Sequence, residues 1–222
     1  TQAQFPWVVS ISREIFKQFE HSGSGSLISA RHVVCKAQVV ASDDRIRNGP
    51  YTKFVDERFF VADEVGKFKL FLGTTKHDKT YEPGAIEVGV AEISLHPQAK
   101  FLGFVFIFNV AVIKMNQNVQ FSSVIAPICL GDFKTENQIG ETAYAVGYGN
   151  DQTWTVTGTK KHVAMTINNL ATCREFYEIS LNAGWKSKFF CASGRGENAP
   201  FDLDDSLYMK FNGRWFLMGF LN

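Results

Sequence analysis

The chain has 222 residues, of which 45% are apolar, with 23 basic and 22 acidic side chains. That length supports one large domain with a sizeable core, or two small halves sharing an interface. The near-neutral charge balance leaves no basic excess to neutralise phosphates, which excludes nucleic-acid binding as a primary role, and no apolar run is long enough for a membrane helix.

Taken in chain order, short β-branched or aromatic runs alternate with turn-forming stretches. "WVVSIS" (Trp7–Ser12), "GSLIS" and "HVVCKAQVV" read as strands, followed by the exposed loop "SDDRIRNGP". "FKLFLG" (Phe68–Gly73) and "IEVGVAEISLH" (Ile86–His96) flank the loop "KHDKTYEPG". The most apolar stretch, "FLGFVFIFNVAVIKM" (Phe101–Met115), carries Asn109 and Lys114 and reads as a buried strand with its approach loop. A soft boundary falls over Ala126–Glu141, and "TAYAVGYG" begins the strands beyond it. The one helical pattern is "NLATCREFYEIS" (Asn169–Ser180), where Leu170, Cys173, Phe176 and Tyr177 share a face. "RWFLMGFL" closes the series. The expected fold class is therefore all-β, a barrel or sandwich with one short helix, and the 21 phenylalanines agree with a densely packed β protein.

Nothing in the sequence calls for a cofactor or a metal. The four cysteines contain no C-x-x-C pair, and the five histidines are scattered without metal-ligand spacing. Thr1 is not the start of a secretory leader pattern, so any leader is expected upstream.

The order of landmarks resembles the chymotrypsin/trypsin family of serine proteases over essentially the whole chain. Phe5-Pro6-Trp7-Val8-Val9 is similar to that family's opening strand, and "GSLIS" with "RHVV" to the pair leading to its T-A-A-H-C motif. "ISLHPQ" and "FNVAVIKM" resemble the segments around the catalytic aspartate, and "VIAPICLG" the crossing between barrels. "AVGYG", "FFCAS" and "NGRWFLMGF" resemble the strands that frame the nucleophile loop. Insect modular and clip-type immune proteases look nearest. The resemblance implies a single trypsin-like domain over residues 1–222, built of two six-stranded barrels at about 1–120 and 121–222, with its C-terminal element missing.

A triad needs a nucleophilic hydroxyl, a base to take its proton and an acid to orient the base. By the resemblance the histidine falls on Gln38, whose amide accepts no proton near neutral pH. The aspartate falls on Asn109, which carries no charge, and the serine falls on Leu203 or, counted from Cys191, near Asp204. Ser206 is the rival serine because it follows an aspartate; it lacks neighbouring glycines and is expected to be an ordinary loop residue. The specificity residue falls near Glu197.

The resemblance also pairs Cys173 with Cys191, a bridge contributing roughly 3 kcal/mol. Cys129 matches the cysteine that ties such domains to an upstream pro-segment or clip module, and Cys35 is expected as a buried free thiol. A bridge favours secretion. The resulting expectation is a secreted, catalytically inactive homologue that binds protein partners, against the alternatives of an active endopeptidase with a divergent site and a paralogue without function. The long loop over Val39–Phe60, with Arg45, Arg47, Tyr51 and Phe54, is the candidate partner surface.

Overall fold

A computed structural model describes residues 2–43, 57–77, 80–102, 105–132, 135–148, 158–177, 189–194 and 206–221. The first half contains β1 (Val8–Ile15), β2 (Gln18–Leu27), β3 (His32–Cys35), α1 (Ala37–Val40), β4 (Ala41–Asp43), β5 (Glu57–Ala62), β6 (Phe68–Leu72), β7 (Ile86–Leu95), β8 (Lys100–Leu102), β9 (Val105–Ile107) and β10 (Ala111–Met115). The second contains β11 (Cys129–Leu130), β12 (Thr142–Gly147), β13 (Lys161–Asn168), α2 (Leu170–Tyr177), β14 (Cys191–Gly194), β15 (Ser206–Phe211) and β16 (Arg214–Phe220).

Strands β1-β2-β3-β10-β7-β6 close into a barrel, while β11-β16-β15-β12-β13-β14 form a six-stranded sheet. The remaining strands make a small four-stranded sheet in the order β4-β5-β8-β9. Closure removes the barrel's free edges, and its wall comes close enough that glycine is needed in one place. A Cβ on Gly25 would stand 2.7 Å from Val33 Cγ1, so β2 can approach β3 only with hydrogen there.

The period-2 alternation of strands decides which side chains meet. In β15, Tyr208 joins the main core with Ile11, Leu27, Leu70 and Ile113, whereas Leu207 and Met209 join a second, smaller cluster with Ala143, Ala145, Met165 and Ile167. The main core is continuous from barrel to sheet, because Val146, Tyr148 and Tyr208 belong to the same cluster as the barrel interior. Phe5, Trp7, Tyr144, Tyr208 and Trp215 cross at this junction, with Trp7 and Tyr208 edge to face at 5.6 Å.

Two readings of the sequence need correction in local detail. "HVVCKAQVV" is not one strand: it breaks at Lys36, and Ala37–Val40 form a short helix. The stretch Val39–Phe60 is not all loop either, since Ala41–Asp43 pair antiparallel with Phe60–Ala62. The helix expected at Asn169–Ser180 is present as Leu170–Tyr177. Cys173 on that helix is bonded to Cys191 at the start of β14, with Cα atoms 5.7 Å apart. Cys35, which is buried, and Cys129, which is partly buried, form no disulfide among the described residues. Among the described residues no helix is long and apolar enough to cross a membrane, and no group of three metal-binding side chains converges.

A polar clasp stitches the segment after β6 to the segment before β13. Lys76 bridges Thr159, His77 N–H donates to the Gly158 carbonyl at 2.8 Å, and Thr75 donates its N–H and hydroxyl to Glu82. Burial opposes ionisation of Glu82, but the bonds from Thr75 and Thr74 and the nearby Lys160 outweigh it and hold the carboxyl below its usual range. Burial pushes the Lys160 ammonium down to about 8, with Glu82 partly offsetting it.

Opposite pH limbs follow from the signs. Glu82 contributes stability that is complete above its unfolded pKa and lost as pH falls through the lowered folded value. Lys160 is protonated at a cost in the fold, and that cost is relieved as pH rises from about 8 toward the ordinary lysine value of 10.5. Thermal unfolding should therefore show Glu82→Gln with a flattened acid limb, below 4.5, and Lys160→Met without the alkaline rise.

Candidate functional site

Gln38 and Asn109, 71 positions apart in the chain, are brought together where α1 leaves the barrel wall and β10 enters it. The Gln38 backbone N–H donates to Asn109 Oδ1 at 3.1 Å, and Asn109 Nδ2 donates to Gln38 Oε1 at 2.8 Å. The backbone donor fixes the assignment, because only the oxygen of Asn109 can accept from it. Gln38 Oε1 is thereby occupied, and among the described residues its Nε2 has no hydrogen-bond partner. Two neutral amides held this way can align a third polar group but cannot carry a proton, since neither ionises near neutral pH.

Backbone strain presents Asn109. Phe108 adopts a φ of 49°, a left-handed conformation that costs a non-glycine residue roughly 1–2 kcal/mol. The Val110 N–H then donates to the Phe108 carbonyl at 2.7 Å, a tight turn centred on Asn109. His96 fastens the turn from the side: its ring stacks on Phe108 at 4.6 Å and its N–H donates to the Val110 carbonyl at 2.9 Å.

Lys36, absent from any sequence expectation, lies just before α1 with only 1% of its surface exposed. Its Nζ donates to the Leu221 carbonyl at 2.8 Å, which ties α1 to the chain leaving β16. A charged residue inside the apolar run "VVCKAQVV" was the available signal, but nothing local says that its ammonium turns inward.

Ser206 is not a loop residue as expected. It is the first residue of β15, pairs with Val146 and Phe220, and is fully buried. Among the described residues its hydroxyl has no hydrogen-bond partner. Leu203, Asp204, Glu197 and the partner-loop residues Arg45, Arg47, Tyr51 and Phe54 lie outside the described residues.

Removing the Asn109 amide would leave the Gln38 N–H without its acceptor. Asn109→Ala is expected to lower unfolding stability by about 1–3 kcal/mol in denaturant titration. Asn109→Asp should cost less, because the Gln38 side chain can rotate to offer Nε2 to a carboxylate.

Comparison with known proteins agrees with this architecture. The trypsin family model matches residues 1–201. Among similar proteins, CLIP domain-containing serine protease B4 of Anopheles gambiae is 26% identical over 225 residues, covering 97% of this chain and 58% of the relative. Phenoloxidase-activating factor 1 of Holotrichia diomphalia is 25% identical over 200 residues, covering 86% of this chain and 51% of its own. Phenoloxidase-activating factor 3 of the same beetle is 24% identical, with 86% and 52% covered. The chain thus spans about half the length of these curated relatives. A family match over that share of a chain folded as a closed barrel beside a second six-stranded sheet means that the protein belongs to the trypsin family.

Proposed function

We propose that this domain is a non-catalytic serine protease homologue that acts by binding proteins in an extracellular proteolytic cascade, as cofactor, scaffold or decoy. The observation that carries the reading is the Gln38–Asn109 amide pair, standing in contact where the family resemblance expects the histidine and the aspartate. General-base assistance is typically worth 10²–10⁴-fold in rate, and a carboxamide supplies none of it. The full burial of Ser206 supports the same reading, since among the described residues its hydroxyl has no base to activate it in place of the serine that the resemblance expects at Leu203 or near Asp204. Similarity to a CLIP-domain protease and to phenoloxidase-activating factors supports an extracellular cascade as the setting.

In this reading function sits on surface loops carried by a rigid framework. Arg45, Arg47, Tyr51 and Phe54 supply the residue types that protein interfaces favour, and Cys129, a partly exposed thiol on β11, is the attachment point for an upstream pro-segment or clip module. The domain is secreted and needs neither cofactor nor metal.

A serine-directed fluorophosphonate should label nothing, whereas stoichiometric labelling of Ser206 would overturn the reading. Gln38→His with Asn109→Asp should not restore peptide hydrolysis, because the stretch "NAPFDLDDSLY" supplies no glycine for an oxyanion site, and one lost donor costs about 10²–10³-fold. Replacing Ile46–Phe54 by a Gly/Ser linker should abolish partner recovery with circular dichroism unchanged.

A further inference from the structure

The hairpin joining β15 to β16 turns through two residues, Asn212-Gly213, closed by the pair Phe211 and Arg214. Both are left-handed, with φ of 48° and 80°, the conformation that Asn-Gly adopts readily in a two-residue turn. The choice is not forced, because the β1–β2 hairpin makes a turn of the same handedness from Phe16-Lys17. Of the two turns, only Asn212-Gly213 sets a side-chain amide beside a backbone nitrogen that no side chain shields.

The surroundings leave both groups open. Asn212, Gly213 and Arg214 are exposed, and no atom lies within 4 Å of where a Cβ on Gly213 would stand. The closing ladder bonds belong to Phe211 and Arg214, and among the described residues the Gly213 N–H donates no backbone hydrogen bond. Lys210 and Arg214, both exposed, flank the turn with positive charge, which modestly favours the anionic form of the Gly213 nitrogen.

We infer that Asn212 is a site of self-modification, at which the Gly213 nitrogen attacks the Asn212 side-chain carbonyl carbon. The nitrogen gives its proton to hydroxide, its bond to Cγ forms, and the bond from Cγ to the amide nitrogen breaks with release of ammonia. Water then opens the five-membered imide. Opening at the side-chain carbonyl leaves aspartate, and opening at the main-chain carbonyl leaves isoaspartate, whose chain runs through Cβ and Cγ. One water is taken up and one ammonia lost. Ring closure takes Asn212 out of the left-handed well, so the reaction proceeds from the frayed end of the hairpin, where local opening is least costly.

The two products differ in consequence. Either takes the formal net charge from +1 to neutral. Aspartate keeps the turn, because it too tolerates the left-handed region. Isoaspartate inserts a methylene into a turn of two residues and displaces the pairs Phe211–Arg214 and Lys210–Trp215. Trp215 packs on Phe5, Trp7 and Tyr144 where barrel meets sheet, so a change at the tip reaches the seam. The chain thereby limits the lifetime of its own hairpin, whatever the domain binds.

The test incubates the folded domain at neutral pH, with an isolated peptide of residues 208–217 setting the time scale. The chain's other Asn-Gly, Asn48-Gly49, lies outside the described residues and is removed by Asn48→Gly in every sample. Isoelectric focusing, peptide mapping and methylation by protein isoaspartate methyltransferase follow the product. The expected result is an acidic species modified at position 212, formed several-fold faster per unit rise in pH. Exposed Asn116 and Asn118 should stay intact, because Gln117 and Val119 follow them. The isolated isoaspartate form should melt about 2–4 °C below the unmodified domain, and the aspartate form within about 1 °C of it. Asn212→Gly, which preserves a turn of two left-handed residues, should neither turn acidic nor lose Tm on the same incubation. The inference is overturned if position 212 is intact when the peptide has fully reacted, if Asn212→Gly ages as the parent does, or if the isoaspartate form melts with the unmodified domain.

Discussion

Tyr208 is fully buried where the barrel meets the second sheet, and its hydroxyl lies 2.6 Å from that of Ser26 on β2. That polar contact has to be satisfied inside an apolar seam. A hydroxyl buried without a partner costs about 1–3 kcal/mol, so barrel and sheet are held in one relative position rather than sliding on a greasy surface. Phe5, Trp7 and Trp215 pack around it and supply the buried area, while the hydroxyl pair supplies the register. Lys36, reaching from α1 to the Leu221 carbonyl, adds a second polar tie between the same two parts.

That rigidity gives the Gln38–Asn109 pair its meaning. α1 is anchored by buried Ala37, Val39 and Val40, and the turn at Asn109 is clamped by His96, so the two amides meet with little freedom to adjust. The framework here aligns two neutral amides, neither of which accepts a proton near neutral pH. The Gln38 N–H and the Asn109 Nδ2 both find acceptors within the pair.

Strain is found in two places of different kind. At Phe108 the left-handed backbone is buttressed by a stacked ring and serves to present Asn109 from inside the structure. At Phe16 and Lys17 the same conformation is unsupported and faces solvent. Internal strain is repaid by packing; strain on a projecting tip finds no such return within the folded chain.

The sequence alone carried the all-β character, because strand alternation is local, and the Cys173–Cys191 bridge, because a family's landmarks keep their order. It also led to errors of a consistent sort. "HVVCKAQVV" looked like one strand, since β-branched runs do not reveal a break that only the packing of Ala37, Val39 and Val40 against the barrel enforces. Ser206 was expected in a loop because the resemblance puts the nucleophile loop there, yet it pairs with both β12 and β16 and is fully buried. The inward turn of Lys36, the clasp of Glu82 and Lys160 and the contact of Gln38 with Asn109 all join residues far apart in the chain. Propensity and periodicity are properties of neighbours in sequence, whereas burial, ionisation and pairing are set by neighbours in space, and only the tertiary structure decides who those are.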